Sequence, residues 1–425
     1  MLTAVVGINW GDEGKGRMVD LLGSDYDIIA RYQGGNNAGH TVINERGEFV
    51  LNLLPSGILR ENTVNVLGTG MVIDLEHLVG EIKALTERGI AITPKNLKIS
   101  EKATICTTAH KLLDELEEDR LGKDAQGSTR RGIAPAYADK YMRKALRVGD
   151  LLNSETLAEK ARGAAAYMNL ALAAYGNYFI SDNELISWLN EYGGFLKPFI
   201  ANTEDYLEDA AEAGKNIMLE AQLGTLRDID FGIYPYTTSS SALAAYAPIG
   251  AGIPGRRVEN VIGIVKAYSS SVGGGPFTVE MDGAEAEALR EAGGEYGAAT
   301  GRPRRVGAFD AVATRFGARM QGADMLALTK LDVLSYLDEI PVCVAYDVNG
   351  ERVERFPTGD RLAAAKPIYE YLPGFKTDIS KVRRAEDLPA AAMDYIRYIE
   401  KAVGRRIRYV SVGPEREDYF VLGEA

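Results

Sequence analysis

The stretch of sequence that decides the fold lies at the N-terminus and reads Leu2-Thr-Ala-Val-Val-Gly-Ile-Asn-Trp10-Gly-Asp-Glu-Gly-Lys-Gly-Arg17-Met-Val-Asp-Leu-Leu22. Residues 4–8 form an apolar run that is typical of a β-strand. A glycine-rich turn follows, and an apolar pattern with helical spacing begins at Met18. Because a strand, a glycine loop and a helix in this order bring backbone N–H groups and a helix N-terminus together, the stretch predicts a phosphate-binding site.

This loop differs from the standard P-loop, which requires the pattern G-x-x-x-x-G-K-[ST]. Asn9 stands where the first glycine of that pattern would be, and Lys15 is followed by Gly16 instead of a hydroxyl residue that could hold magnesium. Asp12 is therefore expected to take another part, either as a metal ligand or as a base. The plainer interpretation is a glycine turn in which Asp12 caps nearby backbone N–H groups.

The composition excludes several classes of protein. The 425 residues are 46% hydrophobic and 25% charged, as in ordinary globular proteins, and no apolar run reaches the ~18 residues of a membrane-spanning helix. The N-terminus lacks the pattern of a signal peptide. A net charge of −12 argues against a nucleic-acid partner, and Cys106 and Cys343, which lack metal-ligand spacing, fit a reducing compartment. We therefore expect a cytoplasmic protein that binds neither nucleic acid nor membranes.

Strand and helix patterns alternate along most of the chain, which predicts an α/β fold with a large, mostly parallel central sheet flanked by helices. The strands are predicted at 4–8, 27–33, 65–73, 215–220, 261–267, 326–331, 340–346 and 407–412, with a hairpin at 41–54 and a loop at 269–276. The helices are predicted at 75–85, 310–322 and 390–403, besides the one that begins at Met18. Helical periodicity dominates residues from about 150 to 214, so we expect a helical insertion there within one domain that spans 1–425.

Several segments together resemble the adenylosuccinate synthetase family. The glycine loop Trp10-Gly-Asp-Glu-Gly-Lys-Gly16 looks like the first signature of that family, and Gly34-Gly-Asn-Asn-Ala-Gly-His-Thr41 is similar to the second. The similarity continues in family order through residues 128–140, 228–239, 300–305, 329–332 and 411–414. The resemblance implies a P-loop-like GTP site and a ligase that joins IMP to L-aspartate with GTP as the phosphoryl donor.

The resemblance also implies a role for each residue of the catalytic centre. The 6-oxygen of IMP is a poor leaving group until it is phosphorylated, and a base must first take the proton of the neighbouring ring nitrogen. Asp12 matches both the base and the Mg²⁺ ligand of the family, and Gly39 would offer its backbone carbonyl to the same ion. His40 matches the general acid, and Lys15 would lie against the phosphates.

Three sets of binding residues follow from the resemblance. The GTP set comprises Gly11, Glu13, Gly14, Lys15, Gly16, Arg17, Gly39, His40, Thr41, Arg304, Lys330, Leu331, Asp332, Ser411, Val412 and Gly413. The IMP set comprises Asp12, Asn37, Ala38, Thr129, Arg143, Gln222, Leu223, Thr238 and Arg302. The aspartate set comprises Ala299, Thr300, Gly301 and Arg302. In the family the counterpart of Arg143 reaches the nucleotide of the other subunit, so a homodimer with shared sites is expected.

The tetrapeptide Thr329-Lys-Leu-Asp332 follows an apolar strand, and many GTP-binding proteins recognise guanine with such a sequence. The carboxylate accepts hydrogen bonds from the ring N–H and the exocyclic amine of guanine, whereas adenine has no such pair of donors. Lys330 would cover the face of the base. By itself, the tetrapeptide would be an ordinary strand end in most proteins.

The chain departs from the family pattern at a few positions. The family reads E-G-A-Q-G-T-L where this chain reads Glu220-Ala-Gln-Leu-Gly-Thr-Leu226, so Leu223 stands at the position of the glutamine that contacts the purine oxygen. Since a shift of one residue reverses the facing of a strand, either a bulge moves the backbone here or the contact is lost. Ala299 replaces a threonine, Ser271 stands where an arginine is common, and Ser241 replaces an asparagine.

Two other functions are compatible with parts of the sequence. A GTP-binding switch or regulatory protein would explain the glycine loop and the guanine tetrapeptide, but not His40, Thr129 or Arg143. A related ligase that acts on another purine nucleotide or another amino acid is kept open by Leu223. Phosphate release with GTP, Mg²⁺, IMP and aspartate, each omitted in turn, distinguishes these functions, because a switch hydrolyses GTP without needing both other substrates.

Overall fold

One large sheet organises the part of the chain that the computed structural model describes, residues 1–296 and 303–423. The strands in these residues are, in chain order, β1 (Leu2–Gly7), β2 (Ile28–Arg31), β3 (His40–Asn44), β4 (Gly47–Leu51), β5 (Val64–Leu67), β6 (Val72–Ile73), β7 (Leu97–Ser100), β8 (Thr104–Ile105), β9 (Ile200–Ala201), β10 (Ile217–Gly224), β11 (Asn260–Lys266), β12 (Ser269–Ser271), β13 (Arg305–Gly307), β14 (Phe309–Asp310), β15 (Met325–Thr329), β16 (Glu339–Val348), β17 (Glu351–Val353), β18 (Ala365–Pro373), β19 (Arg406–Ser411) and β20 (Tyr419–Val421). The α-helices are α1 (Lys15–Leu22), α2 (Leu75–Glu87), α3 (Thr108–Leu121), α4 (Ile133–Met142), α5 (Ser154–Leu172), α6 (Asp182–Leu196), α7 (Thr203–Glu212), α8 (Ala247–Ala251), α9 (Gly283–Gly293), α10 (Ala311–Gln321), α11 (Gly359–Ala363) and α12 (Ala390–Val403). Among these helices, none combines the length and apolar character needed to cross a bilayer.

The large sheet has ten strands in the order β20-β19-β15-β11-β1-β10-β2-β5-β7-β9. Every neighbouring pair is parallel except β19 and β20, which pair antiparallel at one edge. The predicted α/β fold with a large, mostly parallel sheet is therefore confirmed. Strand β1 lies near the middle and is buried along its whole length, as expected for a parallel strand covered by helices on both faces.

The two faces of β1 pack against different helices. Val5 meets Met18 of α1 in one apolar cluster. Ala4 and Val6 point to the opposite face and join the largest apolar cluster, to which α10 and α12 contribute. The sheet therefore fixes α1 so that its N-terminus follows directly on the loop at the end of β1.

The region 150–214 is mostly helical, with α5 and α6 packed against each other. Their buried residues, among them Leu157 and Leu189, share an apolar cluster with α2 that is distinct from the largest one. The region also contributes to the large sheet, because β9 pairs with β7 at the sheet edge. Helix α7 places Leu207 in the largest apolar cluster.

The predicted strand at 65–73 is wrong as one element, since the structure divides it into β5 and β6. Gly68 and Gly70 lie between the two strands and pass closely by neighbouring backbone. A Cβ on Gly70 would lie 2.1 Å from the carbonyl oxygen of Tyr32. The chain therefore leaves the large sheet at this point, and β6 pairs with β8 in a separate small sheet.

Other predicted boundaries also differ from the structure, among them that of the strand predicted at 215–220, which the structure extends to Gly224 as β10. The predicted loop at 269–276 begins with β12, which pairs antiparallel with β13. The predicted strand at 326–331 ends at Thr329, because Lys330 has a φ of 58° that no strand residue adopts. Helix α1 begins at Lys15, ahead of the apolar pattern. The predicted hairpin is confirmed as β3 and β4, and the predicted helix at 390–403 as α12.

The carboxyl ends of the parallel strands gather the segments that the sequence singles out. The glycine loop follows β1, residues 34–39 follow β2, Lys330 follows β15, and Val412 follows β19. In open α/β sheets ligands bind at this edge. The topology therefore brings motifs that are hundreds of residues apart to one side of the molecule.

Candidate functional site

The glycine loop is held by its own charged side chains. Glu13 is only 4% exposed, and its Oε1 accepts hydrogen bonds from the N–H groups of Gly11 at 2.7 Å and Asn9 at 3.2 Å. Lys15 Nζ donates to the carbonyl oxygen of Gly11 at 2.6 Å. Gly11 has a φ of +108°, and a Cβ there would lie 2.7 Å from the Cα of Leu223. The loop is thus shaped by the protein before any phosphate is present.

Asp12 stands apart from the other charged residues of the loop. Its side chain is 28% exposed, and its Oδ2 lies 4.0 Å from Nε of Arg304. Within the described residues, the hydrogen bonds that fold the loop go to Glu13 and not to Asp12. Gly14, with a φ of 90°, follows as the N-cap of α1. The carboxylate of Asp12 therefore borders the open side of the loop and is available to a ligand.

His40, the first residue of β3, is clamped by a buried carboxylate. Its Nδ1 lies 2.5 Å from Oε1 of Glu220, which is fully buried. Ser56 holds Glu220 in turn, with its N–H donating at 2.9 Å and its hydroxyl at 2.8 Å. The ring lies against the first turn of α1, because a Cβ on Gly16 would be 2.5 Å from the Cβ of His40. Within the described residues, Nε2 of His40 is buried without a hydrogen-bond partner.

The surroundings of this pair set its protonation. Burial, together with the positive charge of Arg31, lowers the pKa of His40 to about 4, although Glu220 acts in the opposite direction. Burial also opposes ionisation of Glu220, but the hydrogen bond from His40 and the charge of Arg31 outweigh it and lower the pKa of Glu220. At neutral pH a neutral imidazole therefore donates its Nδ1 proton to an ionised carboxylate. Its Nε2 is left as an acceptor that points away from Glu220.

Strand β10 contains a bulge at the position where the chain departs from the family pattern. Glu220 pairs with Val5 and Gly224 pairs with Gly7, so three residues of β10 oppose a single residue of β1. Leu223, within the bulge, has a left-handed backbone with a φ of 59° and a partly exposed side chain. Of the two alternatives that the sequence left open, the structure shows the shifted backbone.

Gln222 is turned towards the loop that follows β2. It is fully buried, and its Nε2 donates to the carbonyl oxygens of Gly35 at 2.7 Å and Asn52 at 3.2 Å. A Cβ on Gly34 would lie 2.1 Å from Oε1 of Gln222. Within the described residues, this Oε1 has no hydrogen-bond partner. The amide therefore ties β10 to residues 34–35, while Leu223 lies against the glycine loop.

The second signature is a fixed loop that leads into β3. Asn37 Oδ1 accepts a hydrogen bond from the N–H of the residue two positions earlier at 3.2 Å. Asn52 Nδ2 donates to the carbonyl oxygen of Ala38 at 3.0 Å. Gly39 and Thr41 are exposed on either side of the buried His40. The backbone groups of Gly39 and Thr41 are therefore accessible from outside the protein.

The residues predicted to bind guanine meet at the ends of β15 and β19. The N–H of Leu331 donates to the carbonyl oxygen of Ser411 at 3.3 Å, and Arg17 reaches from α1 to the Ser411 hydroxyl. Asp332 is partly buried, and its Oδ1 has no partner within the described residues. Burial raises the pKa of Asp332 against the opposing charges of Lys330 and Arg17.

The turn after β19 is shaped by Asp418. The N–H of Val412 donates to the carbonyl oxygen of Asp418 at 2.9 Å, and a Cβ on Gly413 would lie 2.4 Å from its carboxylate. At the end of the neighbouring strand β15, the hydroxyl of Thr329 donates to the carbonyl oxygen of Glu13 at 2.7 Å. That bond joins the end of β15 directly to the glycine loop.

Arg304 lies between Asp12 and a buried carboxylate. Its Nη1 is 3.0 Å from Oε2 of Glu295, and its Nε has no hydrogen-bond partner within the described residues. All four residues predicted to bind aspartate lie outside the described residues: Ala299, Thr300, Gly301 and Arg302.

Thr129 and Arg143 lie beyond opposite ends of α4. At the start of this helix, Ile133 packs so closely that a Cβ on Gly35 would be 2.7 Å from its Cδ1. Thr129 precedes this end of the helix, whereas Arg143 follows the other end of the ten-residue helix, about 15 Å away. Within the described residues, the exposed side chain of Arg143 makes no hydrogen bond or ion pair. The structure therefore separates Arg143 from the start of α4, where Ile133 packs against Gly35.

Two of the departures from the family pattern have local compensation. Arg227 Nη2 donates to the hydroxyl of Ser271 at 2.9 Å, so a guanidinium lies at this place although residue 271 is not arginine. The hydroxyl of Ser241 donates to Asp228 at 2.9 Å. Thr238 donates its N–H to the carbonyl oxygen of Arg227 at 2.8 Å, and its buried hydroxyl oxygen has no partner within the described residues.

The sequence did not reveal the buried residues that hold the predicted site residues in place through hydrogen bonds and ion pairs. Glu220 carried a usable signal, since a lone carboxylate at the end of an apolar strand run is buried only when it is paired. Ser56 and Glu295 carried none, because each becomes relevant only through contacts with residues far away in the chain.

The fold and the site first define a class of protein. It is an α/β protein in which a glycine loop at the start of a helix, the strand end at residues 329–332 and a buried histidine–carboxylate pair lie along the carboxyl edge of one sheet. Comparison with known proteins gives the family. The family model described as adenylosuccinate synthetase matches residues 4–420, and the chain belongs to this family.

Relatives and a solved structure match over the whole length. The adenylosuccinate synthetase of Frankia casuarinae is 46% identical over 422 residues, which cover 99% of this chain and 98% of that protein. The one from Carboxydothermus hydrogenoformans is 45% identical over 427 residues and 100% of both chains. The structure of fully ligated adenylosuccinate synthetase from Plasmodium falciparum has a TM-score of 0.93 at 34% identity and covers 99% of each chain. The chain is thus a GTP-dependent ligase of purine biosynthesis that forms adenylosuccinate from IMP and L-aspartate.

Proposed function

We propose that the predicted site residues bind and activate the three substrates in one cleft at the carboxyl edge of the sheet. The observation that carries this proposal is a set of buried polar atoms without partners in the described residues. They include Nε of Arg17, Nε2 of His40, Oε1 of Gln222, Oγ1 of Thr238, Nε of Arg304 and Oδ1 of Asp332. Since buried polar atoms in native proteins are nearly always paired, the unpaired atoms of these six predicted site residues support contacts with ligands.

Asp12 acts as the base. It takes the proton from the ring nitrogen beside the 6-oxygen of IMP, so that this oxygen attacks the γ-phosphorus of GTP. The aspartate amine then displaces the phosphorylated oxygen. The partial exposure of Asp12 supports this role, because its carboxylate remains accessible while Glu13 folds the loop.

His40 acts as the general acid on the transferred phosphoryl group. In the free protein its Nε2 is an unpaired acceptor, and the negative charge of an arriving phosphate favours its protonation. Glu220 then stabilises the imidazolium through Nδ1. Lys15, which anchors the glycine loop, adds a positive charge beside the phosphates.

Mg²⁺ is the cofactor, and Asp12 and Gly39 are its protein ligands. Mg²⁺ prefers oxygen ligands and takes several of them from phosphates and water, so a carboxylate and a backbone carbonyl suffice. The donor set fits, because the side chain of Asp12 is 28% exposed and Gly39 is exposed, so that both present oxygen atoms to an ion. When bound, the ion neutralises phosphate charge.

GTP is recognised at both of its ends. Asp332 accepts hydrogen bonds from guanine, and the stem of Lys330 covers the base. The turn with Leu331, Ser411, Val412 and Gly413 completes the base pocket, and Arg17 orders that turn. The phosphates lie along Gly11, Glu13, Gly14, Lys15, Gly16, Gly39, His40 and Thr41, with Arg304 nearby.

IMP and aspartate share the remaining cleft. The IMP contacts are Asp12, Asn37, Ala38, Thr129, Gln222, Leu223, Thr238 and Arg302. The aspartate contacts are Ala299, Thr300, Gly301 and Arg302. Arginine suits both roles of residue 302, because its guanidinium binds carboxylate and phosphate oxygens in a bidentate manner.

Arg143 completes the IMP site of a partner subunit, which makes the enzyme a homodimer. Its distance from Gly35 along α4 supports this arrangement. The surface around it also suits an interface, because Tyr141 is 74% exposed, Met142 is 56% exposed, and Ile249 of the adjoining α8 is 51% exposed. The two helices are linked through Gly70, whose N–H donates to a carbonyl oxygen of α8 and whose carbonyl oxygen accepts from α4. Apolar exposure of this extent on one face marks interaction surfaces.

We further infer that residues 1–425 form one domain with a helical insertion at about 150–214. The return of α7 to the main apolar cluster supports this organisation. We also infer a cytoplasmic enzyme. Cys106 and Cys343 are buried free thiols, as expected in a reducing compartment.

Substitution Asp12→Asn tests the catalytic assignment. The amide is nearly isosteric but cannot accept the proton, so adenylosuccinate formation should fall about a hundredfold or more. The measurement is phosphate release with all three substrates and Mg²⁺, repeated with each component omitted. Activity within threefold of the parent would remove Asp12 from the role of base.

Asp338→Asn is the matched control. Asp338 is 87% exposed and pairs with Lys376 on the surface at 3.0 Å. The control should keep the parent rate within twofold, since exposed ion pairs contribute little.

A further inference from the structure

Glu295 is a fully buried carboxylate that none of the roles above uses. Its Oε1 accepts hydrogen bonds from Nζ of Lys266 at 2.8 Å and from the hydroxyl of Tyr268. Its Oε2 accepts one from Nη1 of Arg304 at 3.0 Å. Nζ of Lys330 lies 3.4 Å from Oε1. One carboxylate is thus surrounded by three cations and a phenol.

The charge of Glu295 holds this cluster together. Lys266 is almost as buried as Glu295, and a buried cation is costly unless it is paired. Although burial favours the neutral acid, the charges of Lys266 and Lys330 hold the pKa of Glu295 well below its usual range. The carboxylate therefore stays ionised, and removing its charge would leave the cations facing one another.

Two members of the cluster reach opposite ends of the ligand site. Lys330, two residues before Asp332, is drawn inwards, because its Nζ also donates to the carbonyl oxygen of Gly293. Arg304 places its Nε 4.0 Å from Oδ2 of Asp12. The backbone adds a further link, since the N–H of Arg304 donates to the carbonyl oxygen of Glu295 at 2.9 Å.

We propose that Glu295 is a positioning residue that holds Lys330 at the guanine end and Arg304 at the Asp12 end of the same site. The proposal rests on the functions proposed above for Lys330 and Asp12. By binding the ammonium group inside the protein, Glu295 leaves the aliphatic stem of Lys330 to lie along the base. By fixing Arg304, it keeps a guanidinium 4.0 Å from the carboxylate of Asp12, at the place where the proposed base works. One carboxylate therefore supports both GTP affinity and turnover.

A purely structural role makes a different prediction. A carboxylate that only stabilises the fold lowers the unfolding temperature when it is replaced, and leaves KM and kcat of the folded enzyme unchanged. A positioning residue changes the kinetics of the folded enzyme, and it changes them selectively. Kinetic constants for each substrate therefore separate the two roles.

The primary test is Glu295→Gln in the full chain, with Glu280→Gln as the matched control. Glu280 pairs with Arg305, the neighbour of Arg304, at an exposed position. For Glu295→Gln we expect a rise of about tenfold in KM for GTP and a fall of about tenfold in kcat, typical of losing an orienting partner. KM for IMP should stay within about twofold, and Glu280→Gln should match the parent. Unchanged KM for GTP and kcat in folded Glu295→Gln would overturn the proposal.

Double substitutions show whether Glu295 acts through its two partners. If it acts through Lys330, adding Glu295→Gln to Lys330→Met should raise KM for GTP no further. If it acts through Arg304, adding Glu295→Gln to Arg304→Met should lower kcat no further. Effects that multiply in both pairs would overturn the proposal. An unchanged KM for GTP in Lys330→Met alone would instead refute the proposed guanine contact, so the two failures are distinguishable.

Glu295→Asp keeps the test decisive if Glu295→Gln does not fold. It retains the charge, but its side chain is one methylene shorter and cannot reach both Lys330 and Arg304 in the same way. A rise in KM for GTP or a fall in kcat of about threefold or more supports the proposal. Parent values for both constants would overturn it.

Discussion

The two halves of the proposed active site are built in opposite ways. On the sheet edge, His40 is fixed by Glu220, which is fixed in turn by Ser56, and all three are buried. Beyond α4, Arg143 is exposed and, within the described residues, its side chain has no hydrogen bond or ion pair. The first half is ordered by its own protomer, whereas the second has no such support.

This difference indicates what each half needs in order to work. Side chains that take part in the chemistry must be held within fractions of an ångström of their working positions. Hydrogen bonds to buried neighbours in the same protomer provide this precision. A group that binds a distal phosphate can be ordered by association with a partner instead. Substitutions should therefore impair turnover in the buried half, and impair IMP binding through the dimer in the exposed half.

His40→Asn should give the largest effect of the substitutions that test this difference. The amide cannot supply a proton to the phosphoryl group, so we expect kcat to fall by about a hundredfold or more, with GTP binding within about threefold of the parent. Phosphate release and calorimetric GTP binding measure the two quantities. If only IMP binding is lost, His40 is a binding residue and the buried half is not specialised for chemistry.

Asp332→Asn should rank second and test the guanine end of the buried half. The amide cannot accept both hydrogen bonds from guanine, and an unpaired polar group in such a site is costly, so kcat/KM for GTP should fall roughly a hundredfold. XTP should become a substrate, because xanthine has a carbonyl where guanine has its amine. Unchanged use of GTP without any use of XTP would contradict the assignment.

The buried half also shows how far the sequence could be interpreted. The strand, glycine loop and helix of residues 2–22 were predicted because their signals are local. The hydrogen bonds that fix His40 were not predicted, because Glu220 and Ser56 are 164 residues apart and are brought together only by the order of the strands. The bulge at Leu223 was one of two stated alternatives, and only the pairing with β1 shows it. Local chemistry is encoded in short segments, whereas the supporting contacts depend on topology.

Arg143→Leu addresses the exposed half and should have a smaller effect. Losing a charged hydrogen bond to the phosphate should raise KM for IMP roughly 10- to 100-fold, while the unfolding temperature should not change because the side chain is exposed. Steady-state kinetics with IMP varied is the measurement. A parent KM for IMP would contradict the proposed phosphate contact.

Pairing Arg143→Leu with Asp12→Asn shows which subunit Arg143 serves. In a heterodimer of the two variants, a shared site gives one centre with both lesions and one with neither. At an IMP concentration well below the KM of Arg143→Leu, where both homodimers are nearly inactive, the purified heterodimer should then have about half the parent activity, and a random mixture about a quarter, from the statistics of two-fold pairing. Different tags on co-expressed chains allow the heterodimer to be isolated. Activity no higher than that of either variant would show that Arg143 acts within its own subunit.

Leu223→Gln should give the smallest effect, because it adds one contact to the buried half. In the family a glutamine at this position contacts the purine oxygen, whereas here Gln222 is engaged with the carbonyl oxygens of Gly35 and Asn52. The left-handed backbone at residue 223 tolerates an unbranched amide as well as it does leucine, so the bulge should persist. One neutral hydrogen bond lowers KM for IMP by roughly two- to tenfold. Leu223→Met, of similar volume and without the amide, should leave KM for IMP at the parent value. If Leu223→Gln binds IMP no better than Leu223→Met, the bulge holds residue 223 away from the purine, and the supporting contacts of β10 exclude it from substrate recognition.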